Sequence, residues 1–161
     1  MEVSTKELLQ RRALAKLLVA ERRREPLWKY KPHPIQKLFH QSPKRRRAFF
    51  GGNRSGKSVA GAVEVVMAVT GEVPEYFGKE SIIVGNGIHK IPVPSNGWVV
   101  SLDYPKSRDV AEPLIRKYLP DRHIKKWSQT DRILELTNGS VIGFKSCDSG
   151  WEKFMGVARH W

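Results

Sequence analysis

The chain has 161 residues, 40% of them apolar and 28% charged, enough for one domain with a buried core and unlike a disordered or membrane composition. No apolar run approaches the roughly 18–20 residues of a membrane span, and no apolar signal core follows the charged start at Glu2. One cysteine, Cys147, excludes an internal disulfide framework and fits a cytosolic setting; the five histidines show no metal-ligand spacing. The net charge is +13, and residues 1–50 carry 14 of the 29 basic residues but 4 of the 16 acidic ones. That asymmetry points to a polyanionic partner, nucleic acid or an acidic protein surface, or else to a solvated Arg-rich helix.

In chain order, Ser4-x-x-Glu7 is a possible capping box opening a helix to about Arg24, with Leu14, Leu17 and Leu18 as its apolar stripe and Pro26 as its stop. Trp28, Tyr30, Pro32 and Pro34 read as an extended connector, and Ile35–Gln41 as a short helix. Ala48–Phe50 reads as a short buried strand, and Val59–Val69, apolar on nearly every side, as a helix buried against a sheet and stopped by Gly71. Residues 72–96 read as loop with one short strand at Ile82–Val84. Trp98–Leu102 is a second buried strand, and Ser107–Tyr118 a helix that Pro113 enters early or kinks. Ile133–Leu136 and Val141–Phe144 form a hairpin around Asn138-Gly139, and residues 152–156 a short turn or helix. The strand–loop–helix–strand–helix order predicts an α/β fold with a parallel sheet.

Gly51-Gly52-Asn53-Arg54-Ser55-Gly56-Lys57-Ser58 matches the Walker A pattern G-x-x-x-x-G-K-[ST] in full, between an apolar strand and an apolar helix as that motif requires. Glycine lets the backbone wrap a phosphate with its N–H groups inward, and the following helix aims its N-terminus at the same anion. Lys57 supplies charge for the β and γ oxygens, and the Ser58 hydroxyl is a ligand for Mg²⁺. The implied cofactors are a nucleoside triphosphate, most simply ATP, and Mg²⁺. Arg54 is either an arginine finger in cis or a solvent-facing loop residue, and Asn53 serves the turn. Arg45–Arg47 is either a DNA-contact patch or a charged strand edge. Asp103 and Asp148 either approach the γ-phosphate or cap loops, and Trp28 and Tyr30 either stack on a base or anchor the connector.

Three blocks resemble the ATPase domain of tailed-phage terminase large subunits. The first is Pro34-Ile35-Gln36, Phe39-His40-Gln41-Ser42, then Phe49-Phe50 leading into Gly51–Ser58. The second is Gly97-Trp98-Val99-Val100-Ser101-Leu102-Asp103. The third is Gly139–Ser146, Asp148-Ser149-Gly150 and Lys153-Phe154-Met155-Gly156. Together they span about residues 27–161, with the first block the specific one. The resemblance implies a P-loop NTPase fold of the RecA/ASCE-like kind. It also implies that Gln36, 15 residues before Gly51, reads adenine through its carboxamide; the alternative is an ordinary helix-surface glutamine. It divides the chain into a basic N-terminal helix, 1–26, and the N-terminal part of an ATPase domain, 27–161. The family's Walker B strand ending in Asp-Glu, its coupling motif and its nuclease domain have no counterpart before Trp161. A sheet incomplete at its C-terminal side, apolar surface left open on Val59–Val69 and Trp98–Leu102, and weak hydrolysis are therefore expected. Double-stranded DNA, a portal protein, a small terminase subunit, a homo-oligomeric ring and the cytoplasm of an infected or lysogenic bacterium also follow from the resemblance. The residues alone leave open another P-loop enzyme, such as a helicase or kinase, or a basic nucleic-acid-binding remnant without activity.

Overall fold

The computed structural model describes residues 5–22, 25–44, 46–74, 84–85, 88–89, 91–155 and 159–161. Its centre is the apolar segment after the phosphate-loop motif, which forms helix α4 (Lys57–Thr70). Ala60, Val63, Val66, Met67 and Val69 are fully buried on it. Gly71 ends it at φ 75°, its N–H bonded to the Met67 carbonyl at 3.0 Å, in the left-handed cap that glycine adopts without a Cβ penalty. Earlier helices are α1 (Thr5–Arg22), α2 (Pro26–Lys29) and α3 (Pro34–Gln41). The connector at Trp28 is thus a helical turn and not extended, with Leu27 buried beneath it. Leu14, Leu17 and Leu18 are each more than half exposed, so the α1 stripe does not pack on the body. The capping residue Ser4 lies outside the described residues.

The main sheet has four strands, β3 (Asn96–Ser101), β4 (Ile124–Ser128), β5 (Ile133–Leu136) and β6 (Val141–Ser146), in the order β3-β6-β5-β4. β3 and β6 run parallel, from Asn96 opposite Val141 to Ser101 opposite Ser146, while β5 is antiparallel to both β6 and β4. The expected parallel sheet is therefore corrected to a mixed one. The reason is loop length: the four residues Thr137–Ser140 between β5 and β6 cannot carry a parallel crossover, and only the β3–β6 pair has helices between its strands. Gly139 turns this hairpin at φ 86°, and Asn138 donates to the Val69 carbonyl at 2.8 Å, fastening the hairpin to the end of α4. β4, unforeseen in the sequence, is an edge strand whose exposed Lys125 and Lys126 discourage further pairing.

A second correction concerns Ala48–Phe50. These residues form no strand, and Phe50 is 89% exposed. A strand needs a neighbour for its backbone groups, and none of the strands among the described residues runs beside this one. Phe49 is held instead by its ring against Phe39, centroids 5.5 Å apart. Of the strand expected at Ile82–Val84, only Val84 is described; Val84–Gly85 (β1) pairs antiparallel with Ile88–His89 (β2).

The helix expected over Ser107–Tyr118 is present in three parts. α5 (Tyr104–Lys106) leads into a π-turn over Ser107–Ala111, then α6 (Glu112–Tyr118). Pro113 sits in the first turn of α6 directly after this π-turn, and the Glu112 N–H donates back five residues to the Ser107 carbonyl. The widened turn relieves the clash a proline ring makes with the carbonyl four residues earlier. α6 packs on α4, and Ile115, Tyr118 and Leu119 join Val63, Val66, Leu134, Leu136, Ile142 and Phe144 in one core. Phe144 stands edge-on to Trp127, centroids 5.4 Å apart, and is 2% exposed. Phe144→Ala should cost ~3–5 kcal/mol, read as a lower urea midpoint at unchanged slope.

Candidate functional site

The phosphate-loop sequence links α3 to α4 through a tight, partly left-handed chain. Arg54 lies at φ 62° and Gly56 at φ 77°. A Cβ on Gly56 would run into the Gln36 amide, so glycine is required there by conformation and by space. Gly56 caps α4 with no side chain on its free N–H groups, and the first helical bond runs from Ala60 N–H to the Gly56 carbonyl at 3.0 Å. Uncapped N–H groups and the helix dipole make this end attractive to an anion.

Lys57 folds back over the loop. Its Nζ donates to the Gly51 and Gly52 carbonyls, each at 2.7 Å, and to Ser55 Oγ at 3.1 Å. Three acceptors satisfy all three ammonium protons, so an arriving phosphate must offer oxygens that exchange for these bonds. Asn53 and Arg54 form the exposed tip of the turn. Ser58 is exposed at the mouth of an apolar groove of about 500 Å³ between α4 and β3. Gly61, Ala62 and Val65 line it from the helix, and Val100 and Leu102, 48% and 64% exposed, from the strand side. Of the open apolar surface expected on these two segments, exposed large apolar side chains are found on the strand side alone, at Val100 and Leu102, while Ala62 on the helix is buried. Among the described residues no group of three or more His, Cys, Asp or Glu side chains is arranged to hold a metal. The Ser58 hydroxyl, with phosphate oxygens, fits Mg²⁺, which takes few protein ligands beside a nucleotide.

Gln36 is not on the helix surface but 4% exposed, and its carboxamide is engaged at both ends. Oε1 accepts from the His33 N–H at 3.0 Å, and Nε2 donates to the Gly56 carbonyl at 3.0 Å. Asp103 caps α5: Oδ1 accepts from the Lys106 N–H at 2.7 Å, and the bond from the Lys106 ammonium, then this backbone bond, hold its carboxyl below the usual range. Asp148 sits in the turn after β6, its N–H bonded to Ser146 Oγ. Arg46 is exposed and Arg47 largely buried; Arg45 lies outside the described residues.

A buried polar network behind the loop was missed in the sequence. Arg47 holds both Glu64 oxygens in a bidentate pair, NH1 to Oε1 at 2.7 Å, and donates to the Phe39 carbonyl at 2.8 Å. His40, 1% exposed, contacts Glu64 Oε1 through Nδ1 at 3.0 Å and Tyr30 Oη through Nε2 at 3.1 Å. With Nδ1 donating to the carboxylate, Nε2 is left to accept from the Tyr30 hydroxyl. One signal was available: Glu64 is the single charged residue between Ser58 and Thr70, and a lone charge on a buried helix demands a partner.

Burial, then the nearby Tyr118 and Glu64, push the Tyr30 hydroxyl well above the ordinary tyrosine value. The folded state therefore holds this proton where the unfolded chain has released it, so stability falls as pH rises. The Tyr30 contribution should be fully present below about pH 10 and decline progressively as pH rises beyond it toward the raised folded-state value. Denaturation at stepped pH should show a decline that Tyr30→Phe flattens.

No family model matches the sequence, and no curated protein matches it. Among solved structures, the ATPase domain of the large terminase of Thermus phage P74-26 superposes with a TM-score of 0.52 at 20% identity, over 81% of this chain and 51% of that one. The chain thus spans about half the length of that domain and shares its fold. No helix among the described residues is long and apolar enough to cross a membrane.

Proposed function

We propose that this chain is the ATP-binding part of a phage-type terminase large subunit, a motor that drives double-stranded DNA into a capsid. One observation carries the reading: the complete G-x-x-x-x-G-K-S loop wraps the Lys57 ammonium at the uncapped start of α4. The fold shared with a large-terminase ATPase domain supports the choice among phosphate-loop proteins. When bound, Mg²⁺–ATP supplies the phosphoryl group whose transfer to water powers such a motor.

In this reading Lys57 leaves the Gly51 and Gly52 carbonyls for the β and γ oxygens, and the N–H groups of Gly51–Ser58 close around the phosphates. Ser58 would hold Mg²⁺ through its hydroxyl. Gln36 reads adenine with the second amide proton and the second oxygen lone pair that the protein contacts leave over. Arg54, at the exposed loop tip, reaches the γ-phosphate as the charge that stabilises transfer. Residues 1–26 form a basic arm and 27–161 the nucleotide-binding unit. DNA meets the basic N-terminal region, and a portal, a small subunit and further copies in a ring complete the machine in an infected or lysogenic cell.

Calorimetry with Mg²⁺–ATP tests this, using the chain, its Lys57→Ala variant and GTP as competitor. Saturable binding that prefers ATP and weakens at least about tenfold in the variant is expected, the worth of one charge-assisted contact. Equal binding by both proteins, or none by either, refutes it.

A further inference from the structure

His33, which no part of the motif reading assigns, stands at the turn between the connector and α3. Its ring bridges two elements. Nε2 lies 3.0 Å from the Ser55 carbonyl, and Nδ1 lies 3.5 Å from the Gln36 N–H. A carbonyl only accepts, so Nε2 carries the proton and Nδ1 is the bare acceptor that caps α3. The tautomer is thus fixed by its two partners.

The carbonyl that His33 holds belongs to the peptide between Ser55 and Gly56. The next carbonyl, of Gly56, is held by Gln36 at 3.0 Å. Two successive peptides of the loop are therefore pinned by their oxygens to the first turn of α3. In a planar trans peptide the N–H points opposite to its carbonyl. Fixing these oxygens on α3 directs the N–H groups of Gly56 and Lys57 away from α3, free of it and available to an anion. The close approach depends on Gly56: a Cβ there would stand 3.3 Å from His33 Nε2. α3 is itself anchored at its far end, where His40 and the Phe39 carbonyl meet Glu64 and Arg47.

We infer that His33 is a positioning residue of the phosphate loop: its Nε2–H, acting beside Gln36, presets the Gly56 and Lys57 amides for a polyphosphate before one arrives. The inference rests on the phosphate-loop reading above and extends it to a residue that touches no ligand. Preorganising donors in this way removes a reorganisation cost from binding.

Two substitutions separate the two nitrogens. His33→Asn keeps an acceptor near Nδ1 and a favoured N-cap but is too short for Ser55. His33→Gln places an amide N–H near the Nε2 position. Calorimetry with inorganic tripolyphosphate, Mg²⁺–ATP and Mg²⁺–GTP, together with thermal melting of each protein, gives the readout. His33→Asn should weaken all three ligands by a similar factor, about five- to tenfold, with its melting temperature near that of the parent. His33→Gln should recover most of the loss. Parent-like binding by His33→Asn overturns the inference while leaving the phosphate-loop reading intact. Equal loss in both variants, or a loss in step with melting temperature, also overturns it. A parent chain that binds none of the three overturns both.

Discussion

The bidentate pair between Arg47 and Glu64 closes the chain around the phosphate loop. Arg47 lies before the loop and Glu64 two turns into the helix after it, so the contact fixes both stems of the segment between them. Both side chains are about one-eighth exposed, and His40 and the Phe39 carbonyl satisfy what the pair leaves over. Such a pair adds little net stability after desolvation, yet removing one partner strands a buried charge at a cost of roughly 3–5 kcal/mol. Its value is conformational. It holds α3 against α4 at the rear, and Gln36 and His33 can then grip the loop at the front.

The arrangement explains how a loop with little regular structure keeps a shape. Residues 48–56 make no strand and contribute few buried side chains. Their conformation is imposed by bonds to neighbours: two loop carbonyls to α3, two others and a serine to the Lys57 ammonium. The inner and outer sides of the loop are thus claimed by different side chains. Only the inner set must yield to a phosphate, because Lys57 can trade carbonyl oxygens for phosphate oxygens while α3 stays in place.

The same geometry leaves one side of the molecule apolar. β3 is an edge strand next to the groove on α4, and Val100 and Leu102 are largely exposed beside it. At the N-terminal end of that strand His160 exchanges two hydrogen bonds with Asn96, and the Trp161 ring lies on Gly97. Residues 159–161 therefore cover the start of the edge but not the groove.

The sequence by itself determined the elements whose signals are local. α4, its glycine stop, the Asn-Gly hairpin, α3 and the loop pattern were all legible because each depends on residues within a few positions of one another. The placement of Lys57 and Ser58 in the first turn of α4 was legible for the same reason, since the motif fixes their spacing. Tertiary structure decided what depends on distant neighbours. Ala48–Phe50 has strand composition but no partner strand, so it stays outside the sheet. β4 was hidden by its lysines, which suit an edge that only the assembled sheet defines. Parallel pairing survived for β3 and β6 alone, because the short hairpin forces its neighbours antiparallel. The roles of His33, His40, Arg47 and Glu64 emerged only when α3 folded onto α4, since a polar side chain has no identifiable partner until burial brings the partner to it.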